Sequence, residues 1–285
     1  MRVIVIGAGF VGNSLCDLME VAGHNVISVT KNETDSSTAC DVSSLESLTL
    51  LREEKGTADI VIHCASSGGR GADLRIRYQK VYVDGCRNII ETFPDSRFVF
   101  VSSSSVYAQK DGSVVDEESI AEPLSVTSQL LLQAESITSK FGGSVARLAG
   151  IYGPGRSYLL KRYIERNAQI DGTGPESDGR WINQIHRDDA ASALAHMVEK
   201  SEMNGIYNVC DDMPMLQRAC YEEFDRRFKH GVPEVKLAIE SKARGWTHKK
   251  VSNSKLKETG WVPKYPSYFD ALDKDTELLS SIIGT

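Results

Sequence analysis

Short apolar runs alternate with stretches of helical periodicity through the first half of the chain. Val3-Ile4-Val5-Ile6 is the continuous apolar run that a buried parallel strand needs. Val11, Leu15, Leu18 and Met19 then recur at helical spacing, predicting a helix over residues 10–22. Further strands are predicted at 26–29, 60–62, 98–101 and 145–148, and helices at 45–52, 74–93 and 125–141. Pro94 stops the second of these helices, and Gly142-Gly143 ends the third. The alternation predicts an α/β fold: a doubly wound, Rossmann-like parallel sheet with helices on both faces.

Beyond Leu148 the pattern changes. Gly150, Gly153-Pro154-Gly155, Gly172, Gly174 and Gly179 mark loops around one helix near 158–168. A helix at 188–199 and a short strand at 206–209 follow, and then a mixture of helix, prolines and aromatics. No flexible linker separates the regions. The expected organisation is a Rossmann domain of residues 1–149 plus 183–209 and a smaller substrate lobe of residues 150–182 plus 210–285. At about 150 residues per domain, 285 residues suit two units.

Charge and cysteine usage exclude several classes. With 33 Lys and Arg against 39 Asp and Glu, the net charge of -6 argues against a nucleic-acid partner, which needs a basic face. No apolar run approaches the ~18 residues of a membrane span, and the one at residue 3 is too short for a signal peptide. Six cysteines at 16, 40, 64, 86, 210 and 220 form no C-x-x-C, which suits reduced thiols in a cytoplasmic protein and no metal site.

Candidate chemistry begins at Gly7-Ala8-Gly9-Phe10-Val11-Gly12, a G-x-G-x-x-G that follows a strand and opens a helix. Gly7 permits the tight turn, Gly9 lets backbone approach a pyrophosphate, and Gly12 lets helix and strand pack closely. The helix N-terminus adds N–H groups and positive dipole. The bland alternative is a glycine-rich turn without a ligand. The second strand ends Val29-Thr30-Lys31-Asn32, with no carboxylate before Glu33. A basic residue there accommodates the 2′-phosphate of NADP, whereas NAD favours an acid, so NADP is expected over NAD. Lys31 as a merely solvated lysine is the alternative.

Five segments carry a resemblance: 98–107 (FVFVSSSSVY), 147–155 (RLAGIYGPG), 182–189 (INQIHRDD), Tyr207-Asn208-Val209, and Ser252-Asn253-Ser254-Lys255-Leu256 with Gly260-Trp261 and Tyr265-Pro266-Ser267-Tyr268. In this order they resemble the extended short-chain dehydrogenase/reductase superfamily of NAD(P)-dependent epimerases and dehydratases. The resemblance implies that Asp41 and Val42 contact adenine and that Cys64, Ala65 and Ser66 line the middle of the cofactor. It implies that Ser103 donates a hydrogen bond to an oxygen of a sugar-like or nucleotide-linked substrate. It also implies a homodimer through the helices at 74–93 and 125–141, where Leu130-Leu131-Leu132 widens the apolar arc. His186 matches a structural, hydrogen-bonded position.

The departures concern the chemistry. The family's phosphate loop is usually one residue longer. Its Tyr-x-x-x-Lys dyad moves a proton through the Tyr phenol, whose pKa the Lys lowers. Anchored on Glu135, this chain has Thr127 at the Tyr position and Leu131 at the Lys position. Tyr82 stands where the family often has Asn; it is either a displaced phenol or, more blandly, a packing tyrosine. Arg156 and Arg180 could each hold an anionic group such as a phosphate, or face solvent. Two readings follow: an atypical enzyme that keeps Ser103 and uses an unknown group or water for acid/base work, or a redox-silent NADP-binding sensor.

Overall fold

The computed structural model describes residues 1–68, 73–172, 174, 176–237 and 247–283. A seven-stranded sheet runs in the order Gly205–Val209, Ser144–Leu148, Arg97–Ser103, Ile60–His63, Arg2–Ile6, Asn25–Thr30, Thr38–Ala39. Every pairing in it is parallel. Val3, Ile4, Val5, Ile60, Val61 and Ile62 are wholly buried, because helices cover both faces and leave no polar side to alternate with. Successive strands step outward from Arg2–Ile6 in one direction, and from Ile60–His63 the order runs in the other. That reversal opens a crevice at the carboxyl ends of these two strands, where ligands bind in doubly wound sheets.

The first helix is Gly12–Val21, burying Leu15, Cys16 and Met19. It starts two residues later than its periodicity predicts. Gly9 N–H bonds back to Gly7 O at 2.8 Å, so Phe10 and Val11 belong to the turn. The expected helix over 74–93 is continuous but not uniform: α-helical Leu74–Tyr78 and Gly85–Thr92 flank π-helical Gln79–Asp84. The buried His63 ring holds the Val81 carbonyl at 2.8 Å, so a strand end supplies a partner inside the widened turn. Helix Val126–Phe141 starts at Ser125, whose hydroxyl accepts from Ser128 N–H, and ends at Gly142 in the left-handed region, φ 88°. The helix expected over 158–168 stops at Ile164, with Arg166 at φ 55° just past its end. The edge strand Thr38–Ala39 is two residues long and carries no apolar signature.

A second, aromatic core centres on Tyr163, Tyr221, Phe224 and Tyr268. The strand pair Gly150–Tyr152 with Gln184–His186 ties its elements to the first core, whereas Val114–Val115 pairs with Lys250–Val251 within the first. Buried His186 pins this seam, edge-on to Tyr152 and Tyr265, with Nδ1 accepting from Asp188 N–H and Nε2 3.1 Å from Asp275. All six cysteines are free thiols. Among the described residues no helix is long and apolar enough to cross a membrane, and no cluster could hold a metal.

Candidate cofactor and substrate site

The three loop glycines differ in what they do. Gly7 sits at φ 98°, and a Cβ on it would lie 2.2 Å from Ala65 N, because the chain leaving Ile60–His63 crosses directly over it. A Cβ on Gly12 would lie 2.2 Å from Gly7 O. These two glycines are required by packing alone. A Cβ on Gly9 would meet nothing within 4 Å. Gly9 therefore leaves open space beside the N-terminus of the first helix, where unpaired N–H groups and the positive end of the dipole lie.

Two guanidinium groups stand near the ring of Phe10, the next residue. Arg156 lies 5.1 Å from its ring centroid and Arg187 5.5 Å. A Cβ on Gly153 would touch both Phe10 Cζ (3.2 Å) and Arg187 Cβ (3.0 Å), so the Gly-Pro-Gly turn is pressed onto the loop. The structure thus brings Arg156 to the glycine loop, where its guanidinium lies over the Phe10 ring while the residue stays exposed. Arg187 was missed in the sequence; its signal was a basic residue opening the helix Arg187–Glu199 beside His186.

At the far end, Lys31 Nζ lies 2.9 Å from Asp41 Oδ2, with the lysine side chain 75% exposed. Burial raises the Asp41 acid, but the bonds from Lys31 and Ser43 outweigh it and hold the carboxyl below its ordinary range. Lys31 is thus mostly exposed and ion-paired with Asp41 beside the end of the second strand. The Thr30 hydroxyl donates to Asn32 O and bonds Ser37, both at 2.6 Å. Val42 is buried against Gly85.

The middle segment passes over Gly7, with Cys64 and Ala65 half-buried and Ser66 exposed. Burial pushes the Cys64 thiol far up, with nearby Cys16 adding to it. Ser67 N–H donates to the Tyr82 hydroxyl at 3.2 Å. Tyr82 is 9% exposed and packs edge-on to Tyr78 and Phe100. Its phenol tethers this segment from below.

The serine turn follows strand Arg97–Ser103. Ser103 Oγ accepts from Ser105 N–H at 3.2 Å. Ser128 Oγ donates to Ser105 Oγ at 3.2 Å, and Ser125 Oγ bonds Thr127 Oγ1 at 3.3 Å, so the start of helix Val126–Phe141 rests on the serine turn. Thr127, Leu131 and Glu135 recur every four residues and are buried, at 7%, 5% and 3% exposure. Glu135 Oε1 accepts from Ser102 Oγ at 2.5 Å, and Oε2 from Arg147 Nη2 at 2.7 Å. Arg147 Nη1 donates to Tyr107 Oη at 2.8 Å, and Tyr107 donates to Asn208 Oδ1 at 2.9 Å. The anchor residue Glu135 thus bonds directly to the residue preceding Ser103.

Arg180 lies apart, in the second lobe. Its Nε is 3.4 Å from Oδ2 of buried Asp171, which also accepts from Gln217 Nε2 at 3.2 Å. The guanidinium is aimed by a buried carboxylate and remains partly open to solvent.

Residues 3–210 match the NAD dependent epimerase/dehydratase family. An uncharacterized UDP-glucose epimerase of Bacillus subtilis is 28% identical over 218 residues, 62% of this chain and 67% of that protein. UDP-glucose 4-epimerase of Thermotoga maritima, solved with UDP-glucose, superposes with a TM-score of 0.81 at 19% identity, covering 99% of this chain and 100% of that one. The Thermus thermophilus UDP-glucose 4-epimerase complex with NAD gives 0.79 at 20% identity, covering 100% of each chain.

Proposed function

The chain belongs to the NAD dependent epimerase/dehydratase family, and from that premise we propose that it binds NADP across the crevice and acts on a small sugar-like or nucleotide-linked substrate with a degenerate acid/base dyad. The observation that carries this reading is the cradle above Gly9, which no packing contact requires. Phe10 and Val11 border it, with Cys64, Ala65 and Ser66 alongside the middle of the cofactor and Asp41 and Val42 at its adenine end. When bound, the cofactor supplies a hydride acceptor or donor. Ser103 donates a hydrogen bond to the substrate oxygen that gains or loses the hydride's partner proton. Thr127 is far too weak an acid to exchange that proton unaided, and Leu131 carries no group to help it. A water or another side chain must do so. Arg156 and Arg180 supply positive charge for anionic groups, Arg156 beside the phosphate loop and Arg180 in the second lobe.

The NADP preference rests on Lys31 and the lack of an acid from Thr30 to Asn32. Calorimetric titration tests it. NADPH should bind more tightly than NADH, and Lys31→Ala should narrow the gap. Tighter NADH binding by the unaltered protein would refute the preference.

A redox-silent NADP sensor is the second reading, favoured by the burial of Thr127 and Leu131. Reproducible NADPH-dependent turnover of any sugar nucleotide would exclude it. We place the protein in the cytoplasm, as six free thiols suit, and as a homodimer. Ile76, Leu124 and Val126 leave apolar surface at the two helices expected to pair, being 56%, 80% and 47% exposed. Light scattering at micromolar concentration should report the dimer mass, and a monomer there would remove it.

A further inference from the structure

Helix Thr276–Ile283 belongs to the second core, where its Leu278 is wholly buried, yet its polar bonds run to the other side of the seam. Asp275 opens it. Oδ1 accepts from Glu277 and Leu278 N–H, and Oδ2 lies 3.1 Å from Nε2 of buried His186. Because His186 Nδ1 accepts from Asp188 N–H, Nε2 carries the proton and donates to Asp275. Further along, Ser281 Oγ donates to Leu278 O at 3.0 Å and accepts from Gly155 N–H at 2.7 Å.

His186 and Gly155 each immediately precede one of the two arginines beside Phe10. Strands Gly150–Tyr152 and Gln184–His186 are parallel, with Tyr152 opposite His186, so the chain leaves both at the same end. One arm continues as the Gly153–Arg156 turn, closed by 2.9 Å backbone bonds in both directions, and the other as helix Arg187–Glu199. The arms meet on the glycine loop. A Cβ on Gly153 would lie 3.0 Å from Arg187 Cβ, 3.2 Å from Phe10 Cζ and 3.6 Å from His186 Nε2. Helix Thr276–Ile283 therefore holds both arms, one by a side chain and one by a backbone N–H, and both arms rest on the residue that follows Gly9.

We propose that this helix braces the cofactor loop, with Asp275 and Ser281 as positioning residues that act through His186–Arg187 and Gly155–Arg156. This rests on the cofactor-binding reading above. With the helix docked, the turn and Arg187 are held against Phe10, and the loop keeps the arrangement that leaves Gly9 open. With the helix undocked, the turn loses its Gly155 anchor and Phe10 loses its flanks. Docking and cofactor binding are then linked, and the linkage is reciprocal: the factor by which docking raises NADPH affinity is the factor by which NADPH favours docking.

The test pairs calorimetric titration of wild type, Ser281→Ala and Ser281→Thr, with NADPH and with NADH, and hydrogen exchange of residues 276–283. Ser281→Ala removes one neutral hydrogen bond and should weaken NADPH binding roughly two- to tenfold. Ser281→Thr keeps the hydroxyl and should bind as wild type does. In wild type, NADPH should slow exchange across 276–283 by a similar factor. A short helix at the edge of its core exchanges by local opening, so a general gain in stability leaves its rate unchanged and only linkage moves it. Equal NADPH affinity in wild type and Ser281→Ala, or exchange in 276–283 that ignores NADPH, overturns the brace and leaves the cofactor reading intact. A wild type that binds neither NADPH nor NADH removes the cofactor reading and this inference with it. Should Ser281→Ala not fold, the exchange measurement on the unaltered protein decides.

Discussion

Removing Arg147 should cost far more than an ordinary arginine substitution. Its side chain and that of Glu135 are each 4% exposed. In Arg147→Met, the Glu135 carboxylate keeps the Ser102 hydroxyl but loses its counter-ion, and the Tyr107 hydroxyl loses a donor. Breaking one side of a buried pair costs ~3–5 kcal/mol, mostly from the stranded charge. At roughly 2–4 °C per kcal/mol for chains near this length, thermal unfolding followed by circular dichroism should shift down by about 6–20 °C. The double variant Glu135→Leu with Arg147→Met strands no charge and should recover much of that loss. A fall below ~1 kcal/mol for Arg147→Met, or a double variant worse than the sum of the singles, would show that no buried pair holds the serine turn.

If Thr127 and Leu131 replace the family's dyad, as proposed, NADPH-dependent turnover of sugar nucleotides should be weak. Thr127→Tyr with Leu131→Lys should raise it, since a positioned acid contributes ~10²–10⁴-fold, and Ser103→Ala should lower it. Rapid native turnover insensitive to position 127 would mean that another residue holds the proton. Acid stability should depend on His63, whose folded-state pKa burial pushes down to about 4 from 6.5. Between those values the unfolded chain binds a proton that the folded chain refuses. Stability present above pH 6.5 is therefore lost as pH falls towards 4, by ~3 kcal/mol in all. Denaturant titrations of His63→Gln over that range should show a flatter pH dependence, and an unchanged slope would contradict the assignment.

The sheet was legible because burial on both faces writes each central strand as an unbroken apolar run, as at Val3–Ile6 and Ile60–Ile62. The strand–glycine turn–helix was legible because strand, glycine spacing and helix coincide. What the sequence hid are contacts between distant segments. Nothing in the spacing joins Phe10 to Arg156 and Arg187, or Lys31 to Asp41, since each pairing is made by chain that returns to the loop after folding. The π-turn at Gln79–Asp84 was likewise invisible, because its partner, His63, comes from a different element. Tyr82 packs against Tyr78 and Phe100 and accepts from Ser67 N–H, contacts from separate segments that its spacing does not reveal.

Gly9 tests the central claim most directly. A Cβ there meets no protein atom within 4 Å, so Gly9→Val should keep the fold and its unfolding temperature. The same side chain would stand in the space that the proposed reading gives to the pyrophosphate. Calorimetric titration with NADPH should show a saturable site in the unaltered protein and none in folded Gly9→Val. Equal NADPH binding by the two proteins would contradict the account, and the glycine loop would then be a packing turn alone.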